Sequence, residues 1–419
     1  MKKFTRRAFA GLATAALAFA SVATSALAAD PIKVAFIEGL SGPFAATGER
    51  GQAEFEFAFD RFVNEKGGIL DGRTIELVPF DNKTSPKESL IQLQVAIDQG
   101  IRYIIQGNSS GVANALTDAI RKHNRRNPDK KVLFINYSAV DPALTNDNCN
   151  FYHFRFDANA DIKMDALTDV IAKDESIKKI YLIGQDYSFG KAVAKAATEM
   201  LKEKRPDIEI VGNELHPIGK VKDFTPYARK IQASGADAVI TGNWGSDMVG
   251  LGKAVIESGF DRPIFTYYAA ADGITKTLGE QGKGIVRIVQ EGQLNPPQSD
   301  ETAQYIKDFK AKYPNLDIAQ PRISNAVQML AKAIEEAGTA DDVDKVAAAM
   351  EGMEMDNFWG GKLKMRAEDH QMIQDVHIMT HTDDVTFDFD NSGYGVKTES
   401  TVEAASADAP TTCKMRRPS

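Results

Sequence analysis

Hydrophobic residues along this chain alternate between short β-branched runs and longer segments with helical spacing. Residues 32–37 read as a strand. Residues 49–65 place Phe55, Phe59 and Phe62 four and three apart, the apolar stripe of a helix, and Gly67-Gly68 ends it. Strands at 74–80, 103–106 and 132–136 then alternate with helices at 86–99 and 110–123. The rhythm restarts with strands at 179–184, 209–213, 238–241 and 264–268 and helices at 191–204, 227–234 and 246–258. Two successive sets of β-α-β units predict an α/β protein of two doubly wound parallel-sheet lobes. Such sheets bind ligands beyond the carboxyl ends of their strands. Helices at 304–311, 324–337 and 342–350 and extended pieces at 362–365 and 375–380 follow, so the chain is expected to cross back to the first lobe. The expected division is 1–28 as a leader, 29–152 with 291–370 as lobe 1, 153–290 with 371–402 as lobe 2, and 403–419 as a tail.

The leader changes the setting. Lys2, Lys3, Arg6 and Arg7 form a basic start, residues 8–20 an apolar run, and Ala26-Leu27-Ala28 a small-residue cleavage pattern, which together read as an export signal. The run is too short and alanine-rich for a membrane span of roughly 20 residues. Thr5-Arg6-Arg7-Ala8-Phe9 also resembles the twin-arginine motif, so the general secretory and twin-arginine routes both stay open. Without the leader the chain keeps 46 basic and 58 acidic residues, net −12, which argues against nucleic acid or an anionic membrane as partner. Cys149 and Cys413 are the two cysteines. In an oxidising compartment they read as one disulfide tying the tail to the body, with two free thiols as the alternative.

Candidate chemistry gathers at the strand-to-helix junctions. Gln106-Gly107-Asn108-Ser109-Ser110-Gly111 leads from a strand into a helix, whose free N–H groups and positive dipole end suit a carboxylate, unless Ser110 merely caps the helix. No Gly-x-x-x-x-Gly-Lys-Ser/Thr phosphate loop marks an enzyme, and no cofactor is implied. A hydrolase would need an imidazole beside Ser109, Ser110 or Ser138, and none is adjacent in sequence. His370, His377 and His381 read as metal ligands or as turn and strand residues; the alternation around His377 favours the second, and no metal is expected. Asp141, Asp147 and Asp157 lack calcium-loop spacing.

Ile37-Glu38-Gly39-Leu40-Ser41-Gly42-Pro43, then Gly48, then Asn64-Glu65-Lys66-Gly67-Gly68-Ile69 resembles the opening of the periplasmic Leu/Ile/Val-binding proteins of ABC transporters, and the order of elements is similar to about residue 380. The resemblance implies type I periplasmic-binding-protein architecture: two Rossmann-like lobes joined by a three-strand hinge and clamping a ligand. It also implies a periplasmic monomer that delivers its ligand to ABC permease subunits. By the same resemblance Ser109 and Ser110 take the ligand carboxylate, Ser138 and Ala139 belong to the second ligand loop, and Tyr187 and Trp244 contribute from the second lobe. Val140 stands where threonine is usual and Thr47 where tyrosine is. Ala269 stands at the acid that holds the α-ammonium, with Asp272 or Asp247 as substitutes. Phe44, Tyr187, Trp244, Tyr267 and Tyr268 are expected to wall an apolar pocket. With a substitute acid the ligand is a hydrophobic or branched-chain amino acid; without one, an aromatic or branched carboxylic acid lacking the amino group. A periplasmic ligand sensor is a further alternative.

Overall fold

The structure, a computed structural model, describes Met1 and residues 30–270, 273–316, 318–388 and 390–418. The leader reading and Asp272 lie outside the described residues. The first lobe is built from β1 (Ile32–Glu38), α1 (Ala45–Phe62), β2 (Ile75–Asp81), α2 (Pro86–Asp98), β3 (Tyr103–Gln106), α3 (Ser110–Arg126), β4 (Leu133–Asn136) and β5 (His153–Arg155). Its sheet is parallel throughout, in the order β2-β1-β3-β4-β5. The pleat divides β1 between two apolar layers: Val34 and Phe36 pack with Phe55 and Phe59 of α1, while Ala35 and Ile37 pack with Leu93 of α2 and Val112 and Leu116 of α3.

The second lobe runs through α4 (Ala160–Lys173), β6 (Lys179–Gln185), α5 (Ser188–Lys204), β7 (Glu209–His216), α6 (Thr225–Ser234), β8 (Ala238–Thr241), α7 (Gly245–Glu257), β9 (Ile264–Thr266), α8 (Ile274–Leu278) and β10 (Val286–Gln290). The chain then returns to lobe 1 as α9 (Asp300–Lys312), α10 (Arg322–Ala337), α11 (Val343–Met350) and a small antiparallel sheet of β11 (Glu354–Asp356), β12 (Lys362–Met365) and β13 (Met372–Ile373). Ile323, Val327 and Leu330 of α10 share the core of β1 and α1. β14 (Val376–Thr382) and β15 (Gly395–Val402) go back to lobe 2 and complete a seven-stranded sheet, β15-β14-β10-β9-β8-β6-β7.

That second sheet is not wholly parallel: β14 pairs antiparallel with β10, and β15 antiparallel with β14. The lobe limits also move by a few residues. β5 hydrogen-bonds to β4, so lobe 1 extends past residue 152 to Arg155, and Met372 is buried in the lobe 1 core, so the returning chain leaves after Ile373 rather than after residue 370. The lobes are therefore joined by three crossings, after β5, β10 and β13. The tail adds a fourth link. From β15 it passes Ala407, buried in the lobe 2 core, to lobe 1, where Thr411 donates to the Thr145 carbonyl and Cys413 is bonded to Cys149.

Candidate functional site

Three helices begin at the cleft between the lobes: α3 with Ser109 as its N-cap, α5 with Tyr187 and α7 with Trp244. At none of these three does a side chain accept from the first-turn N–H groups. Ser85, Asn159, Ser299 and Asp342 do cap α2, α4, α9 and α11 in that way. Helix starts left uncapped keep their free donors and positive dipole ends for an anion.

The cavity between these helix starts encloses 50 Å³, against roughly 10–15 Å³ for one water. Lobe 1 contributes Asn108, Ser109, Ser110 and Ser138, with Thr47 and Arg50 from α1; lobe 2 contributes Tyr187, Phe189, Trp244 and Tyr268. Gln290, Gln320 and Arg322 line the hinge side. Ser110 Oγ accepts from the Asp141 N–H at 3.3 Å and Ser138 Oγ from Arg322 Nη2 at 2.9 Å, while Ser109 makes no side-chain cap. Trp244 Nε1 donates to the Tyr187 hydroxyl at 2.8 Å, and burial pushes that phenol upward, so it stays protonated and able to donate. Arg50 Nη1 is held by Glu54 Oε1 at 3.1 Å. Phe44 of lobe 1 stacks on Trp244 of lobe 2 with ring centroids 4.2 Å apart, fastening the two lobes at the rim.

The loop that carries Ser109 rests on a buried acid. Glu38 Oε1 accepts from the N–H groups of Gly107 at 2.6 Å and Asn108 at 2.9 Å. Burial pushes the Glu38 carboxyl up to about 7 against those hydrogen bonds. Gly107 is required here, since a Cβ would stand 2.7 Å from that of Ser138.

Behind the cavity the hinge holds four buried charges. Lys163 Nζ lies 2.6 Å from both Asp157 and Glu291; Arg322 lies 2.8 Å from Glu291 and 3.4 Å from Asp157. Asp157 follows β5 and Glu291 follows β10, so the cluster ties two of the three crossings. The third joins through Gln371 and Gln374, whose side-chain amides donate to the carbonyls of Asp157 and Phe156. Tyr268 donates to Asp157 at 3.0 Å from the cavity side. Burial, with Glu291 beside it, pushes Asp157 up against the pull of Arg322 and Lys163; for Glu291 burial is outweighed by Lys163 and Arg322, which hold it well below the usual range.

Of the residues singled out in the sequence, Ser109, Ser110, Ser138, Tyr187, Trp244 and Tyr268 line one cavity. Phe44 serves as the rim clasp rather than as part of its wall. Ala139 lies outside the lining, because its N–H and carbonyl are both taken by the Asn136 side chain within lobe 1. Tyr267 is buried in the lobe 2 core and donates to the Ala160 carbonyl. Ala269 is fully buried in lobe 2, and Asp247 is engaged by Gln185 Nε2 and the Gly219 N–H, each at 2.8 Å, outside the cavity lining. His370 stacks on Phe154, His377 faces Thr401 and His381 the Gly279 carbonyl; among the described residues no group of three potential ligands is placed to hold a metal ion. Arg50, Arg322, Gln290 and Gln320 were not foreseen. Arg322 left one trace: a cation directly after Pro321 at a helix start opposes the dipole and calls for acids nearby. Among the described residues, no acid lines the cavity.

The profile of the periplasmic binding protein family matches residues 31–385. Leu/Ile/Val-binding protein homolog 4 of Brucella melitensis is 32% identical over 417 residues, 98% of each chain. The solved closed structure of a leucine-, isoleucine-, valine-, threonine- and alanine-binding protein from Brucella ovis superposes with a TM-score of 0.81 at 29% identity, covering 93% of this chain and 100% of that one. A solute-binding protein of an ABC transporter from R. palustris, in complex with benzoate, has a TM-score of 0.76 at 19% identity and covers 92% of this chain and 99% of that one, a likeness of fold. This chain belongs to the periplasmic binding protein family, as a homologue of the Leu/Ile/Val-binding proteins whose relatives bind small molecules and work with ABC transporters.

Proposed function

We propose that the protein is the periplasmic receptor of an ABC importer for a small carboxylic acid with an aromatic or branched apolar body and no amino group. The observation that carries this is the charge on the cavity wall: its charged side chains are Arg50 and Arg322, with no acid among the described residues. A carboxylate meets the uncapped start of α3, the Ser109 hydroxyl and the protonated Tyr187. An ammonium would meet hydroxyls, amides and guanidinium groups, and a buried cation without an acid is costly. The apolar body would lie against Tyr187, Phe189, Trp244 and Tyr268. Ligand capture on lobe 1 followed by closure of lobe 2, fastened by Phe44 on Trp244, would bury the ligand and present a joint surface to the permease.

The second reading, a hydrophobic or branched-chain amino acid, is favoured by the names of the Brucella relatives and needs an acid that reaches the ammonium. A thermal-shift panel of leucine, valine, phenylalanine and their deaminated counterparts separates the two. A ligand at 100 times its dissociation constant stabilises by about 2.7 kcal/mol. The deaminated acids are expected to shift the melt and the amino acids not; the reverse pattern overturns the proposal. Native mass spectrometry of freshly purified protein then identifies any ligand retained in the cavity.

A further inference from the structure

Apart from Met1, the exposed large apolar side chains among the described residues are Leu90, Ile91 and Val95, all on α2. A concentrated run of cations lies on the neighbouring helix. Residues 121–131, the end of α3 and the turn after it, hold Arg121, Lys122, Arg125, Arg126, Lys130 and Lys131 against the single acid Asp129, in a chain whose acids outnumber its bases. Arg121 is paired with Asp118 and Lys131 with Asp344. Lys122, Arg125, Arg126 and Lys130 are exposed and form no ion pair among the described residues. The two helices lie side by side on one face of the lobe 1 sheet, where Leu93 of α2 and Val112 and Ile120 of α3 pack with Ala35 and Ile37 of β1. At their far ends they line one groove, with Gln94 and Asp98 on one side and His123, Asn127 and Lys130 on the other. Ile91 and Val95 are a turn apart on α2, and Lys122 and Arg126 a turn apart on α3. The exposed aliphatic and cationic side chains therefore share one surface.

We propose that this surface, the outer side of α2 and α3 in lobe 1, docks the protein peripherally on a membrane of anionic phospholipid. Cations without acidic partners match headgroup phosphates, and exposed aliphatic side chains flanked by cations suit the boundary between headgroups and acyl chains. The exposed acids of the same stretch are Asp98 and Asp129, too few to cancel Lys87 and the four unpaired cations. The acidic balance of the whole chain does not oppose this docking, because charges more than about 8 Å from the lipid are largely screened at physiological ionic strength. A second copy of the chain is the poorer occupant: a two-fold contact sets the same patch against itself, cations facing cations. α3 starts at the ligand cavity and runs for 17 residues, so its cationic end lies about 24 Å along the helix from the ligand. Docking by this face leaves the cleft open to ligand.

The test is flotation of periplasm-derived full-length protein with vesicles of phosphatidylcholine alone and of phosphatidylcholine mixed with phosphatidylglycerol, at low and high salt. Binding is expected on the mixed vesicles alone and is lost at high salt. Each cation near an anionic surface is worth about fivefold in partitioning, so Lys122→Gln/Arg125→Gln/Arg126→Gln should weaken binding about a hundredfold. Leu90→Ser/Ile91→Ser/Val95→Ser should weaken it at least about tenfold. Both triple variants should keep the ligand affinity of the wild type, since none of these residues lines the cavity. Wild-type protein that stays off the mixed vesicles, or binds phosphatidylcholine equally well, overturns the proposal whether or not the variants fold. Vesicle binding that survives in either triple variant overturns the assignment to this face. Concentration-dependent dimers that the variants abolish, seen by sedimentation without vesicle binding, give the face to a second copy instead.

Discussion

The ligand cavity and the hinge cluster behind it are both buried, both polar and share Arg322, yet they are balanced in opposite ways. At the hinge two cations face two carboxylates within 2.6–3.4 Å, and every charge has an opposite neighbour. In the cavity the Arg50 and Arg322 guanidinium groups are held from outside the lining by Glu54 and Glu291, and hydroxyls and uncapped helix starts line the wall with no acid among the described residues. A permanent structure must satisfy its charges internally, since an uncompensated buried ion costs several kcal/mol. A binding site leaves helix-start N–H groups and hydroxyls for the ligand to satisfy. Arg322 joins the two regimes, with Nη1 on Glu291 at the hinge and Nη2 on Ser138 in the cavity.

The comparison breaks most visibly at that shared residue. Arg322→Met leaves Asp157 and Glu291 to Lys163 alone and is expected to cost about 3–5 kcal/mol of stability. Arg322→Met combined with Glu291→Gln removes a cation and an anion together and is expected to recover a large part of that loss. Chemical denaturation of the two single variants and the double closes the cycle. Additive effects would mean that the four hinge charges are not a matched set.

The fourth link between the lobes gives the next largest effect. The Cys149–Cys413 bond joins the tail that leaves β15 to lobe 1, and Arg417 pairs with Glu351 just beyond it. Cys149→Ser/Cys413→Ser should lower stability by about 2–4 kcal/mol and speed proteolysis after Val402. Because neither cysteine lines the cavity, ligand affinity should stay within about twofold. A large loss of affinity would place the tail inside the ligand equilibrium rather than beside it.

How much of this the sequence revealed differs between the same two regions. The loops that end β3 and β4 announce themselves by small polar residues at strand ends, and the stripe Phe55, Phe59, Phe62 marks α1. The hinge stayed hidden because its parts are far apart in the chain. The helix at 160–173 was not among the elements expected from the sequence; Asn159 caps α4, and Lys163 within it is fully buried, its charge met by Asp157 and Glu291. β5 and β13 have only three and two residues, too few to show a period. Ala139 was misplaced for a related reason: no local pattern reveals that Asn136 takes both of its backbone groups.

Ser109 sharpens the cavity side. Its hydroxyl caps nothing, whereas that of Ser110 accepts from the Asp141 backbone. Ser109→Ala should weaken carboxylate binding roughly tenfold while leaving the melting temperature of the free protein nearly unchanged. Ser110→Ala should lower both. Calorimetry paired with thermal melts separates the two serines, and equal effects on stability would remove Ser109 from the set of ligand donors.

The smallest expected effect is the one that decides whether the cavity truly lacks an acid. Asp247, one of two substitutes for an ammonium partner, is committed to Gln185 and Gly219. That leaves Asp272, and its neutralisation distinguishes the two ligand classes. If the ligand is a carboxylic acid without an amino group, Asp272→Asn takes no ion-pair partner from it and affinity should change by less than about twofold. If the ligand is an amino acid, the same substitution strands a buried ammonium and costs at least about 2 kcal/mol, roughly thirtyfold in affinity. The measurement is a titration of the wild type and of Asp272→Asn with phenylalanine and with its deaminated acid. A thirtyfold loss confined to phenylalanine would restore the charge balance to the cavity and erase the difference between it and the hinge.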